Sequence, residues 1–263
     1  MKSKQITIMV LAGLFVLACN QPKNPEQILQ KSIASIDTVE TVSYKQDMWR
    51  TNPRSSDDTI KRFREMYFKR LKSDSIVGVM GHWKMYLYDK TNVMFEDIYD
   101  GNRLIRKNNS DSVAVVYDLI KYPEWKQTHF WGHNTLFGMQ YEFKKVLNEK
   151  DKFVITLLND TIFNGSDCYQ LEIKLEDFNT MPGFAMKLDS AKGVVICNKY
   201  FIGQSNFYPI GMHQVSYNKG EPEKKYFLNQ YYYDIKFNLP IEEEQFNTSD
   251  ELLKGFNVRE MKP

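Results

Sequence analysis

The feature that most narrows the folds open to this 263-residue chain is a hydrophobic alternation of period two that recurs along most of its length. It is cleanest where Tyr169, Leu171, Ile173 and Leu175 alternate with Gln170, Glu172 and Lys174. A second run sets Phe227, Tyr231, Tyr233, Ile235 and Phe237 against Gln230, Asp234 and Lys236. A third sets Val79, Trp83, Met85 and Leu87 against His82, Lys84, Tyr86 and Tyr88. Successive side chains of a strand point to opposite faces, so each run means one face on a core and the other in water, as antiparallel sheets allow. About eleven strands are expected, near 41–50, 61–71, 76–88, 93–99, 103–107, 113–118, 153–158, 169–175, 193–202, 211–218 and 225–237. Asp100-Gly101-Asn102, Asn164-Gly165 and Asn218-Lys219-Gly220 carry tight-turn chemistry between runs.

Helical period appears in two places. Asn24 suits an N-cap, Pro25 the first helical position and Gln27 the third, and Ile28, Leu29, Ser32, Ile33 and Ile36 then share a face up to about Asp37-Thr38. A second helix is expected from about Thr135 to Leu147, with Asn134 as its cap and Leu136, Met139, Phe143, Val146 and Leu147 on one face. It lies within an interruption of the strand pattern at 119–148, and residues 176–190 read as a second insertion. Ser249 to Phe256 suggests a short terminal helix. No linker divides 25–263, which read as one domain, mainly β (α+β).

The N-terminus carries an address. Lys2 and Lys4 precede an apolar run from Ile6 to Ala18, too short for the roughly 20 residues that span a bilayer and fitting the core of a secretory signal. Val16-Leu17-Ala18-Cys19 resembles the lipobox of bacterial lipoproteins. That resemblance implies a signal peptide over 1–18, lipid attachment at Cys19 and a tether over 19–24. Three acyl chains at about 0.8 kcal/mol per buried methylene make a stable membrane anchor. Because Asp does not follow Cys19 and no acidic cluster follows it either, lipoprotein sorting rules imply the periplasmic face of the outer membrane. Without Lys2 and Lys4, 33 basic residues face 33 acidic ones, which gives no electrostatic case for nucleic acid.

The helix-to-strand opening from Ile28-Leu29 to Tyr44, the Ile98-Tyr99-Asp100-Gly101-Asn102 hairpin, and Tyr232-Tyr233-Asp234-Ile235-Lys236-Phe237-Asn238 leading through Leu239-Pro240 to Phe246 resemble the LolA/LolB lipoprotein-carrier superfamily. The likeness covers most of residues 24–250. It implies a curved antiparallel sheet or half-barrel whose apolar concave face, covered by the N-terminal helix and the helical insertions, takes up an acyl chain, a lipid or a lipidated protein. Asn164-Gly165-Ser166-Asp167-Cys168-Tyr169-Gln170-Leu171 is also similar to strands in the N-terminal regions of some Bacteroidota thioredoxin-family lipoproteins. This chain has no Cys-x-x-Cys, so a disulfide-reductase activity does not carry over.

Other chemistry finds little support. Cys168 and Cys197 lie near neighbouring expected strands: bridged, they close a loop of about 30 residues worth roughly 3 kcal/mol; unbridged, they are two small buried hydrophobes. Strand register decides between the two. His129-x-x-x-His133 has helical metal-ligand spacing, but Gly132 and Phe130-Trp131 argue for a loop, and no metal site is expected. Gly203-Gln204-Ser205-Asn206 lacks the closing glycine of a nucleophile elbow, no phosphate-binding loop or dinucleotide fingerprint occurs, and Glu242-Glu243-Glu244 reads as a solvated run. The expectation is a binding protein with no cofactor and no catalytic centre. Its 17 Phe, 16 Tyr and 4 Trp are either ordinary sheet packing or the lining of a groove. Parity selects Met48, Trp83, Met85, Tyr231 and Tyr233, with helix-borne Phe137 and Phe143, as the groove. The rival expectation is a protein-docking module of the cell envelope whose half-barrel is filled by its own side chains.

Overall fold

The structure, a computed structural model, describes residues 24–52, 55–87, 90–128, 135–181 and 187–261. Helix α1 (Pro25–Asp37) begins as its sequence dictates: extended Asn24 accepts the Gln27 N–H on its side-chain oxygen at 2.8 Å, and Pro25 opens the first turn. Helix α2 (Leu136–Asn148) is capped by Thr135, whose hydroxyl accepts the Gly138 N–H at 2.9 Å. The expected cap, Asn134, lies outside the described residues. A single helical turn occupies Trp125–Thr128, and no helix among the described residues is long and apolar enough to cross a membrane.

Thirteen strands follow: β1 (Thr41–Asn52), β2 (Ser55–Arg70), β3 (Val79–Tyr86), β4 (Val93–Tyr99), β5 (Arg103–Asn108), β6 (Val113–Asp118), β7 (Phe153–Leu157), β8 (Thr161–Phe163), β9 (Ser166–Met181), β10 (Lys187–Gly203), β11 (Pro209–Asn218), β12 (Glu221–Phe237) and β13 (Asn257–Glu260). They form one curved, unclosed sheet in the order β13-β6-β5-β4-β3-β2-β1-β12-β11-β10-β9-β7, with β8 paired to β9. Every pairing is antiparallel except β13 against β6. Between β6 and β7 the chain passes from one end of the sheet to the other, and α2 lies on that crossover. Helices α1 and α2 pack together, the Gln140 amide of α2 donating to the Ile33 carbonyl at 3.0 Å and to the Asp37 carboxylate at 2.6 Å. Both lie on the concave face: Phe137 meets Phe68 edge-on at 6.1 Å and Phe143 meets Tyr200 edge-on at 5.0 Å.

Two expectations fail here. Residues 176–190 are no insertion: β9 and β10 continue through most of them as one long hairpin, with Phe178 opposite Ser190 and a register shift before Val195. β8 and β13 were missed because runs of three and four residues are too short to show an alternation, and β13 is exposed throughout. The C-terminal segment forms 3-10 turns at Glu243–Phe246 and Asp250–Leu253 and lies across the convex face of β5 and β6, where Leu253 packs on Ile105, Ala114 and Val116.

Candidate functional site: the concave face

Register places the concave side chains in tiers. Nearest the helices, Val42, Phe68, Tyr99, Leu104 and Tyr117 follow one another across β1, β2, β4, β5 and β6, with Gly81 of β3 between Phe68 and Tyr99. All five are buried in the main core. One step out run Tyr44, Met66, Trp83, Asp97, Arg106 and Val115, and beyond them Gln46, Arg64, Met85, Phe95 and Asn108. Arg62 lies opposite Met48, and Arg50 lies one more step out on β1. A walk along β1 from Val42 to Arg50 thus leaves an apolar core and enters a basic, sulfur- and aromatic-lined region.

Two hydrogen-bonded groups occupy the boundary. Buried Gln46 donates to the Gln230 carbonyl oxygen at 2.7 Å, the Tyr232 hydroxyl donates to that same oxygen at 2.6 Å, and Arg64 donates to the Gln46 carbonyl oxygen at 3.2 Å. In the second, Glu142 reaches from α2 to the sheet and accepts from the Tyr200 hydroxyl and, at 3.0 Å, from the Asn198 amide. Asn198 in turn accepts from Gln214 at 2.8 Å. The other Glu142 oxygen is buried without a partner, and burial pushes this carboxyl up to about 7 against the pull of its two donors.

The arginines differ in their satisfaction. Arg106 grips Asp97, with Nε 3.1 Å from both carboxylate oxygens and Nη2 2.8 Å from one of them. Burial outweighs this guanidinium and leaves Asp97 raised, while burial and then the Arg62 charge lower Arg64. The Nε–H groups of Arg50 and Arg64 are buried and have no acceptor among the described residues.

The expected groove is only partly assembled. Met48, Phe137 and Phe143 are on the concave side but only 4%, 2% and 0% exposed, covered by the chain itself. Trp83 and Met85 share that side and keep part of their surface open. Tyr231 and Tyr233 do not belong there. They pair with Asp47 and Lys45 on the convex face, Tyr231 stacking on Phe163 at 5.5 Å and Tyr233 lying beside Phe63, while Gln230 and Tyr232 turn inward. A bulge between Tyr233 and Lys236, where Asp234 takes φ 52°, then returns Phe237 to the concave side. Of the two alternatives for Cys168 and Cys197, the register favours the unbridged one. Cys168 pairs with Gly203, six residues along β10 from Cys197, and Cys197 pairs with Lys174. At about 3.3 Å per residue that separates them by roughly 20 Å, far past the ~7 Å limit for a bridge, and both are free thiols. Cys19, His129 and His133 lie outside the described residues.

The sequence reading missed Arg50, Arg62, Arg64, Arg106, Asp97 and Glu142. Parity held the signal for two of them, since Arg62 and Arg64 are in step with Met66 and Phe68 within Lys61–Arg70.

No protein-family model matches the sequence, and no curated protein matches it. Among solved structures, the chain is similar to a LolA superfamily protein from Nitrosomonas europaea, at 11% identity over 86% of this chain and 99% of that one, with a TM-score of 0.37. It is also similar to lipoprotein LppX of Mycobacterium tuberculosis, at 7% identity over 82% and 96% of the two chains and a TM-score of 0.47. A third is the MucA/MucB complex of Pseudomonas aeruginosa, at 8% identity over 86% of this chain and 62% of that one, with a TM-score of 0.46. Each of these likenesses is one of overall fold.

Proposed function

We propose that this chain is an envelope lipoprotein, anchored through Cys19 at the periplasmic face of the outer membrane, whose concave face takes up an acyl chain, a lipid or a lipidated protein. The observation that carries this reading is apolar surface left open on the inside of an unclosed sheet. Trp83, Met85, Phe95, Val115 and Leu228 share the concave side and remain partly exposed. Covering such surface is worth about 25 cal/mol per Å², and each buried methylene of a chain about 0.8 kcal/mol, so a long acyl tail laid there binds by burial alone.

A second reading, a protein-docking module, has its own observation. Under the helices the concave side is already full, with Phe68, Phe137, Phe143 and Tyr200 packed against one another. Native mass spectrometry of residues 20–263, made in a periplasm without the anchor, separates the two. Near-stoichiometric acyl species before organic extraction, and uptake of palmitate after it, are expected of the first. A clean mass with no uptake would leave the docking module.

A further inference from the structure

We infer that Glu142 is a proton-operated latch for helix α2, holding it on the sheet while protonated and, once ionised, easing its displacement by an acyl tail; this rests on the lipid-binding reading above. The buried residues of α2 include Leu136, Phe137, Met139, Phe143 and Val146, with one acid, Glu142, among them. Its carboxyl meets the sheet at β10, accepting from the Tyr200 hydroxyl and, at 3.0 Å, from the Asn198 amide. The second oxygen, Oε2, is buried with no partner among the described residues, and the side chain as a whole is only 4% exposed. A neutral acid is tolerated in such a place, whereas a carboxylate whose second oxygen meets neither water nor a donor is strongly disfavoured.

Among the described residues no cation lies against this carboxyl. The titratable groups facing it are Tyr200 from β10 and Tyr232 from β12. Burial, with the Glu142 charge adding to it, holds both phenols well above their ordinary value, so neither gives up a proton in exchange. β11 presents the neutral Met212 and Gln214, the latter donating to Asn198 at 2.8 Å. Arg64 of β2 bears on Tyr232 rather than on Glu142. On α2 itself the lysines turn elsewhere, Lys144 to Asp37 of α1 and Lys145 to Glu149. Burial therefore prevails over the two donors, and the group changes charge near neutrality.

The helix can yield without breaking the sheet. It lies on the crossover between β6 and β7 and pairs with no strand, so its own backbone bonds move with it. What it gives up is apolar contact, Phe137 on Phe68 and Phe143 on Tyr200. An acyl tail entering beneath it restores such contact, and the freed carboxylate gains the water that the buried one lacks. Tail uptake and proton release are thus linked, and affinity for a tail must rise with pH across the Glu142 titration.

Residues 20–263 hold every element described and serve for the test, with hexadecanol as a probe that does not itself titrate. Its affinity should rise roughly tenfold between pH 6 and pH 8, as a group held near 7 in place and at its ordinary value of 4.5 when freed releases its proton. Hydrogen exchange, corrected for the intrinsic rate at each pH, should open 139–147 ahead of β9 and β10 at pH 8. Glu142→Gln, which has no proton to release, should keep the low-pH affinity at every pH. Tyr200→Phe removes a donor to the carboxylate and should move the midpoint of the pH dependence upward, which a merely structural role would not do. Affinity that is flat from pH 6 to pH 8, or that keeps its slope in Glu142→Gln, overturns the latch while sparing the lipid-binding reading. Exchange of 139–147 in step with β9 and β10 at every pH means that α2 leaves only when the protein unfolds, and overturns it as well. Absence of uptake at any pH overturns the lipid-binding reading and the coupling to a tail with it, whatever the exchange at 139–147.

Discussion

The two faces of this sheet are stabilised by different means. On the concave side two helices lie across the strands and bury large apolar side chains outright, among them Ile28, Leu29, Phe68, Phe137, Phe143 and Tyr200. The convex side relies on small local devices. At one end the β8 hairpin lays Phe163 over Gly211, where a Cβ would meet the ring at 2.3 Å. Phe163 stacks between Phe201 at 3.9 Å and Tyr231 at 5.5 Å, with His213 edge-on to all three. At the other end, Gln245 of the C-terminal segment donates to His82 Nδ1 at 2.7 Å. That fixes the His82 proton on Nε2, 2.8 Å from Glu96, which also takes the Lys107 ammonium. Helix cover gives the concave face a large apolar reserve, within which Gln46, Glu142 and Gln230 are buried. The convex face has no such reserve and uses its charges to hold the C-terminal segment.

Core truncation sets the scale of that contrast. Phe143→Ala should destabilise the protein by about 3–5 kcal/mol, because the methyl group left behind cannot fill the space against Tyr200. At about 2–4 °C per kcal/mol for a chain of this size, the melting midpoint should fall by roughly 10 °C. Trp49, convex and 42% exposed, should lose about 1 kcal/mol or less on the same change. Comparable losses in urea unfolding for the two variants would break the contrast between the faces.

The acids on the two faces should titrate stability in opposite directions. Glu142, held near 7 when folded, ionises in the unfolded chain near its ordinary value of 4.5. Folding therefore loses stability as pH rises from about 4.5 to about 7, by some 3 kcal/mol in all. Glu142→Gln keeps an acceptor for Tyr200 and Asn198 and should stabilise the protein at pH 8 while changing little at pH 4. Glu96 runs the other way. His82 and Lys107 overcome its burial and hold it at about 2, so its contribution is complete above about 4.5 and fades as pH falls toward 2. Screened by solvent, that is about 1–2 kcal/mol, and Glu96→Gln should lose it at pH 7 and converge with the parent at pH 2. Denaturant midpoints across pH 2–8 check both; slopes of the same sign in the two variants would refute the assignment of either carboxylate.

How much of this was legible depended on whether the signal was local. The first helix was readable to the residue because its cap is: Asn24, Pro25 and Gln27 are adjacent in sequence and act on one another. Strands β4 and β6 begin and end where their alternation does. Assigning faces was harder. Tyr231, Tyr232 and Tyr233 suit either side of a sheet, and only burial by α1 and α2, or by the β8 hairpin, decides which tyrosine turns inward. Arg62 and Arg64 were passed over because charge ordinarily means solvent, although their parity with Met66 placed them inside. β13 had no local signal, since its parallel pairing to β6 is made by a chain returning from β12.

Cysteine chemistry offers the smallest effect and the sharpest contrast with a covalently stapled sheet. Cys168 and Cys197 are both on the convex side, the first against Phe163 and Phe201 and the second opposite Val215. Burial pushes the Cys168 thiol up to about 11 and raises Cys197 as well, so neither is a ready thiolate at neutral pH. A bridge between them would bring roughly 3 kcal/mol, lost on reduction as a fall of several degrees in melting midpoint. None is expected: the midpoint of residues 20–263 should be the same with and without reductant. Denatured protein should take up two alkyl groups with no reductant present, and native protein should alkylate slowly. A midpoint that drops on reduction would require β9 to slide by six residues against β10. Such a slide, being even, would leave Leu171, Ile173 and Leu175 on the inner face but would part Leu171 from Tyr200 and Leu175 from Ile196, so the covalent and the packed versions of this sheet exclude each other.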